Sequence, residues 1–248
     1  MWMIATRELR SLFLSPLAWS ILGAVQVILG FFFLLSLYYF VQPDLQAQLA
    51  SNPDAIGLTA FVVGWQFDTM STILLLILPL LTMRLISEER HNKTLSLLIS
   101  APVSMTSIIL GKFLGIMGFF LILLAMLMLM PLSLLFGGTL DFGQIASSLI
   151  GIVLFIGALV ALGLYISTLT AHPTVAAIST FAVFLLLWMF ELAGNAGEQN
   201  SVLNYLAITK HYQPLIKGLF STADVVYYVL FIALFLILSI QRLDAERF

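Results

Sequence analysis

Residues 83–112 read MRLISEERHNKTLSLLISAPVSMTSIILGK. Glu88, Glu89, Arg90 and Lys93 crowd together there, with His91 as a further titratable group. Long apolar runs flank the stretch on both sides, and only 9 % of the 248 residues are charged. Thr94 to Ser100 is amphipathic, with Leu95, Leu98 and Ile99 sharing one face at spacings of three and four. Pro102 stops that helix, since the residue before a proline is pushed out of the helical region. A charged hairpin between two apolar runs is a topological stop or a surface offered to a soluble partner. Its apolar stripe either fills a groove on that partner or tucks against its own bundle. The pattern alone leaves these readings open.

Composition fixes the class. The hydrophobic fraction is 61 % and mean hydropathy is +1.11, whereas a soluble domain carries about 25 % charged residues. The chain therefore reads as an all-α integral membrane protein. A net charge of −2 makes no case for nucleic acid. The absence of cysteine removes disulfides, thiol catalysis and thiolate metal sites together. The N-terminus does not read as a cleavable signal, because the apolar run after Pro16 is too long and no A-x-A site follows.

Working outward from the hairpin, hydropathy predicts six spans: Leu17 to Val41, Trp65 to Ile86, Thr106 to Phe136, Ile145 to Leu169, Thr174 to Leu192 and Ala223 to Ile240. Ahead of them, residues 1–16 predict an interfacial helix, with Trp2, Ala5, Leu9, Leu12 and Phe13 on one face and Arg7 and Ser11 opposite. Gln42 to Gly64 reads as a polar loop. The second span is expected to kink at Pro79 and to continue as helix through Arg84 to Lys93. Ser104 is placed to cap the third span. Gly111, Gly115 and Gly118 leave one face of that span open to a close-packed helix. Residues 193–222 predict two short helices separated near Pro214, and Ser221 with Asp224 resembles a capping box. The whole of 1–248 reads as one six-span domain, with a cytoplasmic hairpin at 87–105.

Orientation follows from the basic residues. With both termini on one side, that side holds Arg7, Arg10, Arg84, Arg90, Lys93, Lys112, Arg242 and Arg247; the other holds Lys210 and Lys217. The termini and the hairpin are thus expected in the cytoplasm.

Several chemistries fail on residues. A P-loop needs G-x-x-x-x-G-K-[ST]. The one Gly-Lys pair, Gly111-Lys112, has Thr106 and Phe113 at the two other required positions. His91 and His172 fall on one predicted side and His211 on the other, so three imidazoles cannot share a metal. Met126, Met128 and Met130 do not converge on a helix and read as packing. Asp68 and Glu191 fall near the outer interface, as water-contacting carboxylates or as an outer gate facing a substrate. Gln26 is the most polar side chain at membrane depth, and it does not ionise. An ion relay therefore has little to work with, although backbone carbonyls can bind sodium.

Glu88-Glu89-Arg90, Thr94-Leu95, Leu98 and Pro102-Val103-Ser104, followed by Ile108 and Gly111-Lys112-Phe113, resemble the coupling-helix region of type-2 ABC exporter permeases. Lys210 to Tyr228, KHYQPLIKGLFSTADVVYY, resembles the segment before the last span in gliding-motility-type and nitrous-oxide-maturation-type permeases. The resemblance covers essentially the whole chain. It implies a half-transporter in the cell (inner) membrane, whose pathway forms between two copies or between this chain and a paralogue. It implies a separate cytoplasmic ABC ATPase carrying ATP and magnesium, no cofactor in this chain, and room for an extracytoplasmic accessory protein. Glu88, Glu89, Arg90, Thr94, Leu95 and Leu98 would be the coupling residues. Arg7 and Arg10 would meet lipid headgroups or the ATPase, and Gln26 would line a route formed by spans one, two and five. Two competitors stand beside this reading. An ion-coupled transporter would show flux that follows a proton or sodium gradient. A non-transporting relay of ATPase work to an outer partner would show no flux at all.

Overall fold

The structure is a computed structural model describing residues 1–51, 57–95, 103–136, 139–196 and 207–245, with the side chains of Ala50 and of 191–196 outside the description. Helix α1 (Trp2–Leu14) stops at Ser15, whose extended backbone (φ −84°, ψ 130°) turns the chain, and Pro16 opens α2 (Pro16–Val41). Proline suits that first position, since its missing N–H would be unpaired there anyway. The Trp19 indole N–H donates to the Phe13 carbonyl at 2.8 Å and closes the corner.

The expected polar loop after α2 contains a helix, α3 (Pro43–Ser51), with Pro43 at its start and Asp44 in its first turn. Both are helix-start signals. A π-helical turn, Thr59–Val63, leads into α4 (Gly64–Thr82), so the second span begins earlier than hydropathy placed it. Contrary to expectation, α4 does not run unbroken to Lys93. It ends at Thr82, passes through turns at 83–86 and resumes as α5 (Ser87–His91). Next come α6 (Met105–Ser133), α7 (Phe142–Leu169), α8 (Pro173–Ala196), the single turn α9 (Gln213–Ile216) and α10 (Thr222–Asp244). Among the described residues, six helical segments are long and apolar enough to cross a membrane. The fold is that of an all-α, six-span membrane protein, with the start of α1 and the end of α10 at one end of the bundle.

Helix caps follow the side chains. Ser104 Oγ accepts from the Ser107 N–H, as the sequence predicts. Asp141 Oδ1 accepts from the Gly143 and Gln144 N–H groups at 2.9 and 3.1 Å and starts α7. The capping box at α10 does not form. Ser221 makes no side-chain cap bond, and the Asp224 carboxylate that would reach back to it is engaged by His211.

Helix α7 is the centre of the bundle. It packs most extensively on α10 and also contacts α4, α6, α8 and α9. Its glycines at six-residue intervals point in three directions, since six steps of 100° advance by 240°. Gly151 receives Leu215 and Tyr212, Gly157 receives Ile232 of α10, and Gly163 receives Thr82 at the end of α4. A Cβ on Gly163 would sit 2.5 Å from Thr82 Oγ1 and 2.8 Å from Thr82 Cβ. Gly163→Ala should therefore cost about 1–3 kcal/mol, the usual cost of overpacking a tight contact. A lowered melting temperature in detergent, partly restored by Thr82→Ala, is the expected outcome.

Candidate functional site

The charged hairpin sits at the end of the bundle that carries the termini. Its base is pinned by one hydroxyl. Ser167 Oγ on α7 accepts from the Ile86 and Ser87 N–H groups at 3.1 and 3.0 Å and donates to the Met83 carbonyl at 3.1 Å. Ser87 Oγ also donates to the Met83 carbonyl. Side chains thus supply partners at the break between α4 and α5, where helical bonding lapses.

The far end of α5 closes in a Schellman motif. The Lys93 N–H donates to the Arg90 carbonyl at 3.1 Å and the Thr94 N–H to the Glu89 carbonyl at 2.9 Å. Thr94 Oγ1 donates to the same Glu89 carbonyl at 3.2 Å. Lys93 takes the left-handed conformation at φ 57° that the motif demands, a position usually given to glycine. The spacing from Glu89 to Thr94-Leu95 thereby gains a physical meaning: Thr94 reverses the chain, and Leu95 turns inward to 6 % exposure. Leu98 and the rest of the expected amphipathic helix lie outside the described residues.

An ion-pair node joins this hairpin to two other helices. Lys112, in the second turn of α6, has a side chain only 2 % exposed. Its ammonium donates to Glu89 Oε1 of α5 at 2.8 Å and to Glu8 Oε2 of α1 at 3.3 Å. Arg7 Nη2 lies 3.5 Å from the same Glu89 oxygen. Two cations face two carboxylates, so the node is neutral in sum. Glu89 Oε2 is buried with no hydrogen-bond partner among the described residues. By contrast, the Arg84–Glu88 pair at 4.0 Å is half exposed on both sides and adds little.

Glycines make the node possible. A Cβ on Gly111 would sit 2.8 Å from Ile4, and one on Gly115 would sit 2.7 Å from Glu8 Cβ. The helix expected to approach this stripe is therefore α1, which lays Ile4, Ala5, Glu8 and Leu9 against α6. Trp2 stays 74 % exposed, so the apolar face read from the sequence is divided between the bundle and the surroundings. Between α1, α4 and the hairpin lies a cavity of about 440 Å³, reached by Arg7, Glu8, Arg84, Glu88, Glu89 and Lys112. Arg10 is exposed and Arg90 half-buried. The His91 and His172 rings lie 5.5 Å apart, which brings the hairpin against the start of α8.

The second motif region organises the opposite end. His211 Nδ1 pairs with Asp224 Oδ1 at 2.7 Å, and its ring stacks on Tyr227 with centroids 4.0 Å apart. Tyr228 Oη donates to the Ile208 carbonyl at 2.6 Å, and Tyr212 Oη to the Phe67 carbonyl at 3.2 Å. Burial first, then the neighbouring Tyr228 and Asp68, push the Tyr212 phenol well above its ordinary value, so it remains a donor. Pro214 lies in the first turn of α9 rather than between two helices. Gly218, at φ 81°, ends α9 in a second Schellman closure, with Gly218 N–H to Leu215 and Leu219 N–H to Pro214. Gln144 and Ser148 of α7 both donate to the Ile216 carbonyl. Asp68 is exposed here, and its Oδ1 accepts from Gln213 Nε2 at 3.2 Å. Glu191 lies on α8, remote in sequence, with its side chain outside the described residues. Gln26 is half-buried on α2, distant from both motif regions in sequence, and its amide nitrogen has no partner among the described residues.

Sequence reasoning took Lys112 as a basic residue and as part of the Gly111-Lys112-Phe113 motif, gave it no partner, and passed over Glu8. The signal was present: a lysine two turns into such a helix, next to a glycine that admits a neighbour, needs a carboxylate from that neighbour. Lys112→Met would leave two carboxylates facing each other. Removing one partner of a buried pair costs about 3–5 kcal/mol. The expected result is a large fall in melting temperature in detergent, mostly recovered in the triple variant Glu8→Gln, Glu89→Gln, Lys112→Met.

The six apolar spans agree with a comparison against known families. The profile described as ABC-2 family transporter protein matches residues 2–247. A search of curated proteins gives no match. The chain belongs to the ABC-2 transporter family and is the permease component of an ABC transporter.

Proposed function

We propose that this permease is half of an export pathway driven by a separate cytoplasmic ATPase, and that the hairpin receives the ATPase's movement. The observation that carries the reading is the node on Lys112. Through it and Ser167, the hairpin is fastened at once to α1, α6 and α7, while its own chain continues into α4. A push on such a loop reaches α1, α6 and α7 through these contacts and α4 through the turns at 83–86. The sequence holds no P-loop, so the work has to come from elsewhere.

Both termini and the hairpin face the cytoplasm of the cell (inner) membrane in this reading, supported by the eight-to-two distribution of basic residues. ATP and magnesium belong to the partner. A second copy, or a paralogue, completes the pathway along spans one, two and five. Low burial favours spans one and five: α2 and α8 bury only 28 % and 17 % of their apolar windows inside the bundle, with α10 as low at 22 %, against 56 % for the second span and 72 % for α7. The unpartnered amide of Gln26 on α2 fits a lining position, since buried polar groups in native structures have partners. Asp68 and Glu191 stand toward the outer end of that route, where an accessory protein also has access. On the hairpin, His91, Asn92, Lys93 and Thr94 are exposed, and the Glu88 side chain is 47 % exposed. Leu95 is buried, and replacing it would report on folding instead.

Affinity purification of the tagged chain from its own membranes should carry along an ATPase with a G-x-x-x-x-G-K-[ST] motif. Glu88→Arg should lower the recovered ATPase, or its coupling to flux, about tenfold with an unchanged melting temperature. Robust flux from the chain alone in vesicles, abolished by ionophore and indifferent to vanadate, would sink the proposal in favour of an ion-coupled carrier. Hydrolysis coupled to the permease with no flux in vesicles would favour the relay.

A further inference from the structure

A crevice between α4 and α8, at the end opposite the termini, has a polar mouth and an apolar floor. The mouth, about 170 Å³, is lined by Asp68, Ser71, Thr209, Tyr212 and Gln213. The floor, about 150 Å³, is lined by Leu76, Phe181, Phe184 and Leu185. Thr72, Leu75 and Trp188 belong to both, so the two parts are continuous. The arrangement follows from helical spacing. Positions 68, 72, 75 and 76 form one stripe of α4, and 181, 184, 185 and 188 form the facing stripe of α8. From Asp68 to Leu76 the crevice descends about 12 Å along the helix.

The hydrogen bonds at the mouth give it a sign. Ser71 Oγ donates to the Asp68 carbonyl at 2.7 Å, and Thr72 Oγ1 to the same oxygen at 3.4 Å. Tyr212 Oη donates to Phe67, and Gln213 Nε2 donates to Asp68 Oδ1. The Ser71, Thr72 and Tyr212 hydroxyls and one Gln213 N–H are directed at protein acceptors. Toward the crevice the hydroxyls leave oxygen lone pairs, beside the second Gln213 N–H and the exposed Asp68 carboxylate. Among the described residues lining either part, Asp68 is the one charged side chain. An acceptor-rich mouth attracts hydrogen-bond donors and positive charge and repels anions. The Trp188 indole, 40 % exposed and shared by mouth and floor, adds an aromatic face of the kind that attracts ammonium groups.

We propose that this crevice binds an amphipath with a cationic head, ammonium or guanidinium, seated at Asp68 and Trp188, its apolar part lying along Leu75, Phe181 and Phe184. The mouth has room for such a head with one or two waters, each taking about 30 Å³. The two parts together fall at the small end of ligand pockets, about 300–1,000 Å³. As a statement about cargo, the inference rests on the export reading; as a statement about binding, it does not.

The test uses the full chain in lipid nanodiscs with no ATPase present. Saturable binding of tritiated dodecyltrimethylammonium is measured after subtraction of empty discs, with dodecanesulfonate as the anionic counterpart. The cation should saturate and the anion should not. Asp68→Asn keeps an oxygen for Gln213 and loses only the charge; it should weaken binding tenfold or more. Trp188→Leu, at an exposed position, should weaken it several-fold and serves as the second variant if the first fails to fold. No saturable binding, equal binding of the anion, or unchanged affinity in folded Asp68→Asn would each overturn the proposal. ATPase recovery on the hairpin is measured separately, so a failure here leaves that reading standing, and a failure there leaves this site standing.

Discussion

A buried ammonium dictates the architecture at one end of this protein. Lys112 is two turns inside an apolar helix, and its side chain is only 2 % exposed. A charge in that position is tolerated only with opposite charge in contact. Glu8 and Glu89 supply it, and each has structural requirements of its own. For Glu8 to arrive, α1 must lie directly on α6, which only the missing side chains at Gly111 and Gly115 allow. For Glu89 to arrive, the chain must turn twice: once where Ser167 holds the break after α4, and once where Lys93 accepts a left-handed conformation. The glycine stripe, the serine and the strained lysine are therefore parts of one solution to one electrostatic problem.

Helix α7 links that solution to the other end. Its 28 residues span about 42 Å. Near its C-terminus Ser167 holds the hairpin; near its N-terminus Gln144 and Ser148 hold the Ile216 carbonyl, and Gly151 admits Leu215 and Tyr212. Tyr212 in turn reaches back to Phe67 on α4. The hairpin and the outer segment are thus both seated on the same rod, and both also touch α4. A rigid displacement of α4 against α7 would register at both ends together.

Much of this was legible in the sequence, and the limits are informative. Hydropathy found the six spans because membrane crossing is a property of composition over about 20 residues. The glycine stripe and the Ser104 cap were visible because both act within a few residues. The break after Thr82 was not, because the hydroxyl that stabilises it lies 80 positions away. The capping box at Ser221 was misread for a similar reason: Asp224 had a better partner in His211, thirteen residues earlier and beyond local spacing. Helix α3 was simply missed, although Pro43-Asp44 is a recognisable start. The node was half visible, with Lys112 noticed for its charge and not for its burial.

The same node imposes an order on biosynthesis. Glu8 leaves the ribosome 104 residues before Lys112. At about 5–20 residues per second, α1 waits roughly 5–20 s before its glycine groove and its counter-charge exist. During that interval its apolar residues have only lipid or a chaperone to cover them, and Glu8 only water or headgroups to solvate it. Helix α1 must therefore be stable in two successive environments. A helix amphipathic enough to rest on a bilayer, yet carrying one acid on its bundle face, meets both demands.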